Sequence, residues 1–263
     1  MLEMTKLEVV DFGCRAETKL EKARRLKRFI DLRSPSGQDA MHHNDELTVF
    51  AIADGVATDK NAATAAHFVT QRFVEEVSDS ALLTAEAARN MFTGGLLEQL
   101  HEAALLTGAT TTLTGLVVTP DNQASYLHLG DSQLVRRRGD VIEALTSEQV
   151  IAGHQLLNYL GESGNWQPGE ARPPLVLTQE PGMKSESRRE VEWGSVALES
   201  SDRFMLFTDG VLGDAASERI RPDQWRSYTS CRLGAQAVAD LFVLNSAKID
   251  DTTAMVIDIG KQP

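Results

Sequence analysis

Apolar residues fall along this chain in two rhythms that alternate several times. From Glu46 to Ala53 the run is nearly unbroken (Leu47, Val49, Phe50, Ile52), which predicts a strand buried on both faces. From Asn61 to Val77 and from Thr84 to Leu106 the spacing becomes three and four (Ala65, Phe68, Val69, Phe73; Met91, Leu96, Leu97, Leu100, Ala104). That spacing predicts two amphipathic helices able to cover a sheet. Thr110 to Thr119, Ala124 to Leu129 and Leu134 to Arg137 are short β-type runs, and Pro120-Asp121-Asn122 is a ready hairpin turn between the first two. Ser147 to Leu160 has helical spacing, whereas Gly161 to Lys184, with several Gly and Pro, predicts a flap-like loop of the kind that carries substrate contacts. Strand patterns resume at Val191 to Leu198 and Arg203 to Thr208. A helix is predicted over Leu233 to Leu244, and a last strand over Thr252 to Ile259. Near the start, Glu17 to Phe29 is dense in Lys and Arg among Leu and Ala. It predicts a solvated surface helix with a basic face, or a patch for phosphorylated or acidic partners. This order of elements implies an α+β fold with helices packed outside sheets.

A chain of 263 residues can bury one large core, so a single domain over 1–263 is expected. The formal net charge of -12 argues against nucleic acid as a partner, since phosphate backbones demand a basic face. Cys14 and Cys231 are far apart and form no C-x-x-C pair, which suits a reducing cytoplasm and gives no disulfide framework or zinc site. Glu3, Lys6 and Glu8 interrupt the first residues, unlike the core of a signal peptide. The longest charge-free run, Ala103 to Pro120, is broken by Thr and Gly, unlike a membrane span. A cytoplasmic protein without a membrane partner is expected.

Candidate chemistry lies at the strand ends. Three apolar runs finish in a carboxylate within a tight turn: Ala53-Asp54-Gly55, Gly130-Asp131-Ser132 and Thr208-Asp209-Gly210. A fourth begins with one, at Asp250-Asp251. A buried strand delivers its terminal side chain to a fixed place, so four such acids suggest oxygen ligands for a hard divalent cation. Strand length decides which acids can join them. Asp45 sits at the far end of the strand that ends in Asp54, roughly 30 Å away at the rise of an extended chain, so the two cannot share a metal. If Asn44-Asp45-Glu46 is a hairpin tip, the preceding strand returns near Asp54 at Asp39, the better partner. A hairpin tip near Asp121 likewise brings Asp131 back beside Thr110 and Thr111.

The ordered set Gly37-Gln38-Asp39, Ala53-Asp54-Gly55, Gly108-Ala109-Thr110-Thr111, Gly130-Asp131-Ser132, Thr208-Asp209-Gly210 and Asp250-Asp251-Thr252-Thr253 resembles the PPM family of metal-dependent serine/threonine protein phosphatases (type 2C-like), especially its compact bacterial members. The resemblance implies a β-sandwich of two antiparallel sheets flanked by helices, in four α-β-β-α layers, with a pair of Mn²⁺ or Mg²⁺ ions at one end. On the same basis Asp54 bridges both ions, Gly55 offers its carbonyl to one, Asp209 and Asp250 bind the other, and Asp39 holds metal-bound water. Asp131 with Asp209 matches a third-metal site of bacterial relatives. The implied reaction is hydrolysis of phosphoserine or phosphothreonine in proteins by a metal-activated water, without a phosphoenzyme. The implied partner is a phosphorylated protein, a Ser/Thr kinase or its target. An arginine commonly grips the phosphate in this family, and Arg33 stands near that position, one residue further from Asp39 than the pattern asks.

Several positions depart from the family pattern. Gln38 replaces a glutamate, Val56-Ala57-Thr58 replaces a Met-Gly-Gly turn, Gln133 replaces an arginine, and Glu148-Gln149 stands where Asp-His is common. None deletes an aspartate of the implied ligand set, so an active enzyme is favoured. A phosphoprotein-binding pseudophosphatase and a regulatory phosphatase devoted to one switch protein are the alternatives. His42 and His43 lie near the hairpin without a defined partner and read as packing or exposed residues.

Overall fold

The computed structural model describes residues 6–26, 37–56, 60–79, 84–147, 149–151, 155–156, 160–161, 175–178, 189–212, 229, 233–246, 248 and 250–261. Two sheets stack face to face. The first has the order β1 (Leu7–Glu17), β15 (Thr252–Lys261), β14 (Asp202–Phe207), β7 (Gln133–Arg138), β8 (Val141–Ala144). The second has the order β12 (Leu175–Thr178), β13 (Arg189–Ala197), β6 (Gln123–Leu129), β5 (Leu113–Thr119), β3 (Val49–Asp54), β2 (Asp39–His43). Every pair within them is antiparallel except β12 with β13, which run parallel at one edge.

Period-two alternation sorts the side chains of each central strand into two cores. On β3, Phe50 and Ile52 point between the sheets, where they meet Leu116, Leu134, Phe204, Leu206, Met255 and Ile257. Val49 and Ala51 point the other way, against α2 (Ala62–Ser78) and α4 (Leu96–Thr107), packing with Val69, Phe73 and Leu100. On β14 the alternation repeats: Phe204 and Leu206 face inward, whereas Met205 and Phe207 face Val238, Ala239 and Phe242 of α6 (Ala235–Asn245). Three cores between four layers explain why these strands lack a polar face. Each buried Phe, Leu, Ile or Val contributes on the order of 1.5–3 kcal/mol.

The anticipated hairpins form. Asn44 caps the β2–β3 tip, its Oδ1 accepting from the amides of Thr48 (2.8 Å) and Val49 (2.9 Å). Asn122, at φ 56°, turns β5 into β6.

Other expectations need correction. Thr84 to Leu106 is two helices, because Gly94-Gly95 separates α3 (Ala85–Thr93) from α4. Thr110 to Thr119 is also divided: β4 (Thr110–Thr111) stops at Thr112, whose amide bonds the carbonyl of Asp54, before β5 resumes. The described residues of Ser147 to Leu160 are not helical. Val150–Ile151 (β9) pairs with Gln155–Leu156 (β10), and Leu160–Gly161 (β11) pairs with β4, so extended pairing wins over the apparent helical spacing. The flap expected over Gly161 to Lys184 contains β11's last residue and β12, both strands; its remaining residues lie outside those described.

The basic helix is α1 (Lys19–Leu26), and it is not merely solvated: Lys22 is fully buried. Residues 27–29 of that stretch, Arg33 and Cys231 lie outside the described residues. Cys14 is a half-buried free thiol packed at the edge of the inter-sheet core. Among the described residues no helix is long and apolar enough to cross a membrane.

Candidate active site

The site grows from the register of β2 and β3. Asp39 is paired directly with Asp54, so both carboxylates share the inward face at the last rung of their sheet. Facing them across the gap, Thr208 and Thr253 continue the inward faces of β14 and β15. The Thr208 hydroxyl donates to Asp39 Oδ2 (2.7 Å) and accepts from the Thr253 amide (2.9 Å), stitching one sheet to the other beneath the acids. The remaining oxygen, Asp39 Oδ1, is buried and makes no hydrogen bond.

The backbone behind Asp54 is held from three sides. The Asp54 amide donates to Thr112 Oγ1 (2.8 Å), its carbonyl accepts from the Thr112 amide (2.9 Å) and from Thr111 Oγ1 (3.0 Å), and the Gly55 amide donates to the Gln38 carbonyl (3.1 Å). Thr110 to Thr112 therefore brace the ligand strand. Gly55 is required by close approach, since a Cβ there would meet the Ala62 carbonyl oxygen at 2.5 Å. Gly210 is more constrained still: its Cβ would lie 1.7 Å from the Asp251 carbonyl oxygen. The turns after Asp209 and after Asp250 thus abut with no room for a side chain. Asp209 itself opens the single helical turn α5 (Asp209–Leu212).

Asp250 and Asp251 have different tasks. Asp251 is buried and faces away from solvent, accepting from the Gln38 amide (2.7 Å) and the Lys19 amide (2.5 Å), so it ties β2 and α1 to the start of β15. Asp250 stays half-buried and faces Asp209. Lys22 enters from α1 beneath both turns, donating to the Gly210 carbonyl (3.4 Å), to Ser246 Oγ (3.1 Å) and to Thr252 Oγ1. Burial pulls its pKa down to about 8, against the pull of Glu17 in the other direction.

Electrostatics define the pocket. Burial raises the pKa of Asp54 well above the usual carboxylate range, and the charges of Asp39, Asp209, Asp131 and Asp250 raise it further. Burial likewise lifts Asp39 to about 7, opposed by the Thr208 hydroxyl and reinforced by Asp251. Asp250 is raised by burial and by Asp209, and Lys248 partly reverses this. Five acids therefore feel one another at a single end of the sandwich. A cluster of like charges with buried, unbonded oxygens at Asp39 Oδ1 and Asp209 Oδ1 offers only hard donors, the chemistry that suits Mg²⁺ or Mn²⁺.

The carboxylates nevertheless stand apart: among the described residues no three His, Cys, Asp or Glu side chains converge closely enough to grip one ion as placed. Asp209 Oδ2 and Asp250 Oδ2 are each turned toward the Lys248 ammonium instead, the latter at 3.3 Å. Burial opposes the charge on that lysine, but Asp209 and Asp250 outweigh it and raise its pKa.

All the described sequence candidates (Asp39, Asp54, Gly55, Asp131, Asp209 and Asp250) come to this end of the molecule. Asp131 lies on a turn fixed by Gly130 through its amide to Gln149 Oε1 (2.9 Å) and its carbonyl from the Gln149 amide (2.8 Å), and the next residue, Ser132, shares a hydroxyl contact with Thr112 (3.3 Å). Sequence reasoning missed Thr208, Asp251, Lys22 and Lys248. The doubled acid at Asp250-Asp251 signalled the second of these; the lysines gave no local sign. His42 packs against His67 and bonds Thr70 Oγ1 through Nδ1 (2.7 Å), away from the acids, as expected of a packing residue.

Similarity to known proteins agrees with this geometry. Residues 33–241 match the family model described as Protein phosphatase 2C. Over 198 residues the chain is 31% identical to the protein phosphatase PhpP of Streptococcus pneumoniae, covering 71% of this chain and 77% of PhpP. In fold it resembles PppA, described as a key regulatory component of T6SS in Pseudomonas aeruginosa (TM-score 0.62, 18% identity, 97% of this chain and 99% of that one). It also resembles the catalytic domain of the serine/threonine phosphatase PstP, solved with two manganese ions (TM-score 0.59, 16% identity, 98% of this chain and 100% of that one). Family model and relative agree, and the chain belongs to the protein phosphatase 2C (PPM) family of metal-dependent serine/threonine protein phosphatases.

Proposed function

We propose that this chain is a single-domain, cytoplasmic phosphatase that removes phosphate from phosphoserine and phosphothreonine in a protein under the control of a Ser/Thr kinase, using two divalent cations, Mn²⁺ or Mg²⁺. Asp54 and the Gly55 carbonyl would hold the ions on the inner side, Asp54 being shared between them, Asp209 and Asp250 would hold the outer one, and Asp131 with Asp209 would offer a third seat. The observation that carries this reading is the gathering of acids at one end of the sandwich: Asp39 is paired directly with Asp54, and Asp209, Asp131 and Asp250 stand near enough to act on Asp54. Carboxylates forced into one another's field gain most from a cation.

When bound, such ions supply Lewis acidity and a more acidic water. The protein's own part is positional. Thr208 fixes one oxygen of Asp39 and leaves the other able to accept a proton or a hydrogen bond from a water at the site. Thr111 and Thr112 hold the Asp54 turn rigid, so the carboxylate does not swing as charge develops on the phosphate. Arg33 is the proposed phosphate grip. The formal net charge of -12 disfavours nucleic acid as a substrate.

The glutamate-to-glutamine change at 38 is compatible with activity. Gln38 works through its backbone, between Gly55 and Asp251, and its buried side-chain Nε2 makes no hydrogen bond. The test is hydrolysis of p-nitrophenyl phosphate and of a phosphothreonine peptide with Mn²⁺, with Mg²⁺ and with EDTA, for wild type and Asp209→Ala. Metal-dependent release that the substitution abolishes is expected. Metal-independent release, or full activity in the variant, overturns the proposal.

A further inference from the structure

The geometry points to Lys248 as a tethered cation that occupies the seat of the outer metal ion and must be displaced before that ion binds. This inference rests on the two-cation reading above. One ammonium nitrogen is ion-paired with Asp209 Oδ2 and with Asp250 Oδ2 (3.3 Å) at once. A point bonded to both oxygens is the region any cation shared by those two carboxylates has to enter, because oxygen–cation distances of roughly 2–2.6 Å leave little choice of position. The ammonium and a divalent ion cannot stay there together, being like charges with overlapping shells.

The inner carboxylates are treated differently. Neither Asp54 nor Asp39 is paired to a cationic side chain among the described residues: Asp39 takes a neutral hydroxyl from Thr208, and Lys22 spends its donors on Gly210, Ser246 and Thr252. The two seats therefore differ in what an ion must do on arrival. At the inner seat it relieves repulsion. At the outer seat it exchanges with a resident charge, whose side chain is only 17% exposed in place but rides on a long flexible stem able to reach solvent. The chain consequently binds its outer ion weakly for a site of this charge, and its activity follows the concentration of free divalent ion.

Mn²⁺ alone is the probe. Calorimetric titration of the full chain, wild type against Lys248→Met and Lys248→Arg, is expected to show the outer affinity rising at least about tenfold in Lys248→Met, equivalent to ~1.4 kcal/mol, while Lys248→Arg stays near wild type. Unchanged or weaker affinity in a folded Lys248→Met overturns the inference and leaves the two-cation reading intact. A second measurement on the wild type alone decides the matter if that variant does not fold. Amine acylation followed by mass spectrometry should label Lys248 several-fold faster with saturating Mn²⁺ than without, relative to the exposed Lys261. Unchanged or slower labelling overturns it. No Mn²⁺ binding in any form removes the two-cation reading and this inference with it.

Discussion

The two ends of β14 carry opposite solutions to the same problem. At its start Asp202 is buried, and Arg138 meets it with two parallel hydrogen bonds of 2.7 Å while also reaching Glu199. Beside it on β15, Asp258 is gripped by Arg203 in the same forked way, at 2.5 and 2.6 Å. Past the other end stand Asp209 and Asp250 with one lysine between them, and Asp39 and Asp54 with none among the described residues. Charges met by a guanidinium fork are part of the scaffold. Charges left mainly to one another weaken the fold, and their persistence marks them as working groups.

Substitutions at the two ends should therefore separate activity from stability. Asp54→Asn should lower Mn²⁺-dependent p-nitrophenyl phosphate hydrolysis by more than about a hundredfold, beyond the 10–100-fold typical of a metal site's outer partners. The same variant should melt at a higher temperature than wild type in EDTA, since one member of a repelling cluster has lost its charge. A lower melting point would break the comparison. Arg138→Ala should do the reverse. Leaving Asp202 buried and unpaired costs about 3 kcal/mol, at the low end for buried pairs because Arg138 is 28% exposed, and the rate per folded molecule should hold within about twofold. Denaturant titration alongside the rate assay checks both.

The smallest effect is on pH dependence. Asp39 is raised to about 7 from an ordinary value of 3.8, so the folded chain holds this proton more tightly than the unfolded one. Its contribution is fully present below about pH 4 and is lost as pH rises through about 7, on the order of 2 kcal/mol after allowing for solvent at a half-buried group. In EDTA the melting temperature should fall over that window. Excess Mn²⁺, which favours the ionised form, should flatten the fall, and a slope indifferent to metal would detach Asp39 from the cation site.

Much of this contrast was legible in the chain because buried strands on both faces read as unbroken apolar runs. Val49 to Ala53 and Arg203 to Thr208 announce themselves, together with the acids that end them. The Asn44 tip then brought the strand around Asp39 back to within a few residues of Asp54 by counting alone, and the register sets the two directly opposite. Edge strands were harder. β1 carries Glu8, Asp11 and Arg15 among its apolar residues because one side of it is covered only in part, and β8 is four residues long. The two-residue strands β9 and β10 are too short for a period of two to show against a period of 3.6. Lys22 and Lys248 were illegible for a different reason. A lysine's burial depends on partners far along the chain, here Gly210 and Ser246 for one and Asp209 for the other, and nothing near Lys22 announces them.

One pairing has consequences for how the molecule is made. Leu7 in β1 lies opposite Lys261 in β15, so the first strand waits for its neighbour until roughly 250 further residues have been synthesised, the kind of distant contact that slows folding. Asp250 and Asp251 stand immediately before that same late strand. A ribosome-bound chain lacking it has an open sheet edge, and neither Asp251 to anchor Gln38 nor Thr252 to receive Lys22. Strand β15 closes the sheet and completes the acid cluster in one event, so the cluster forms together with the sheet and not ahead of it.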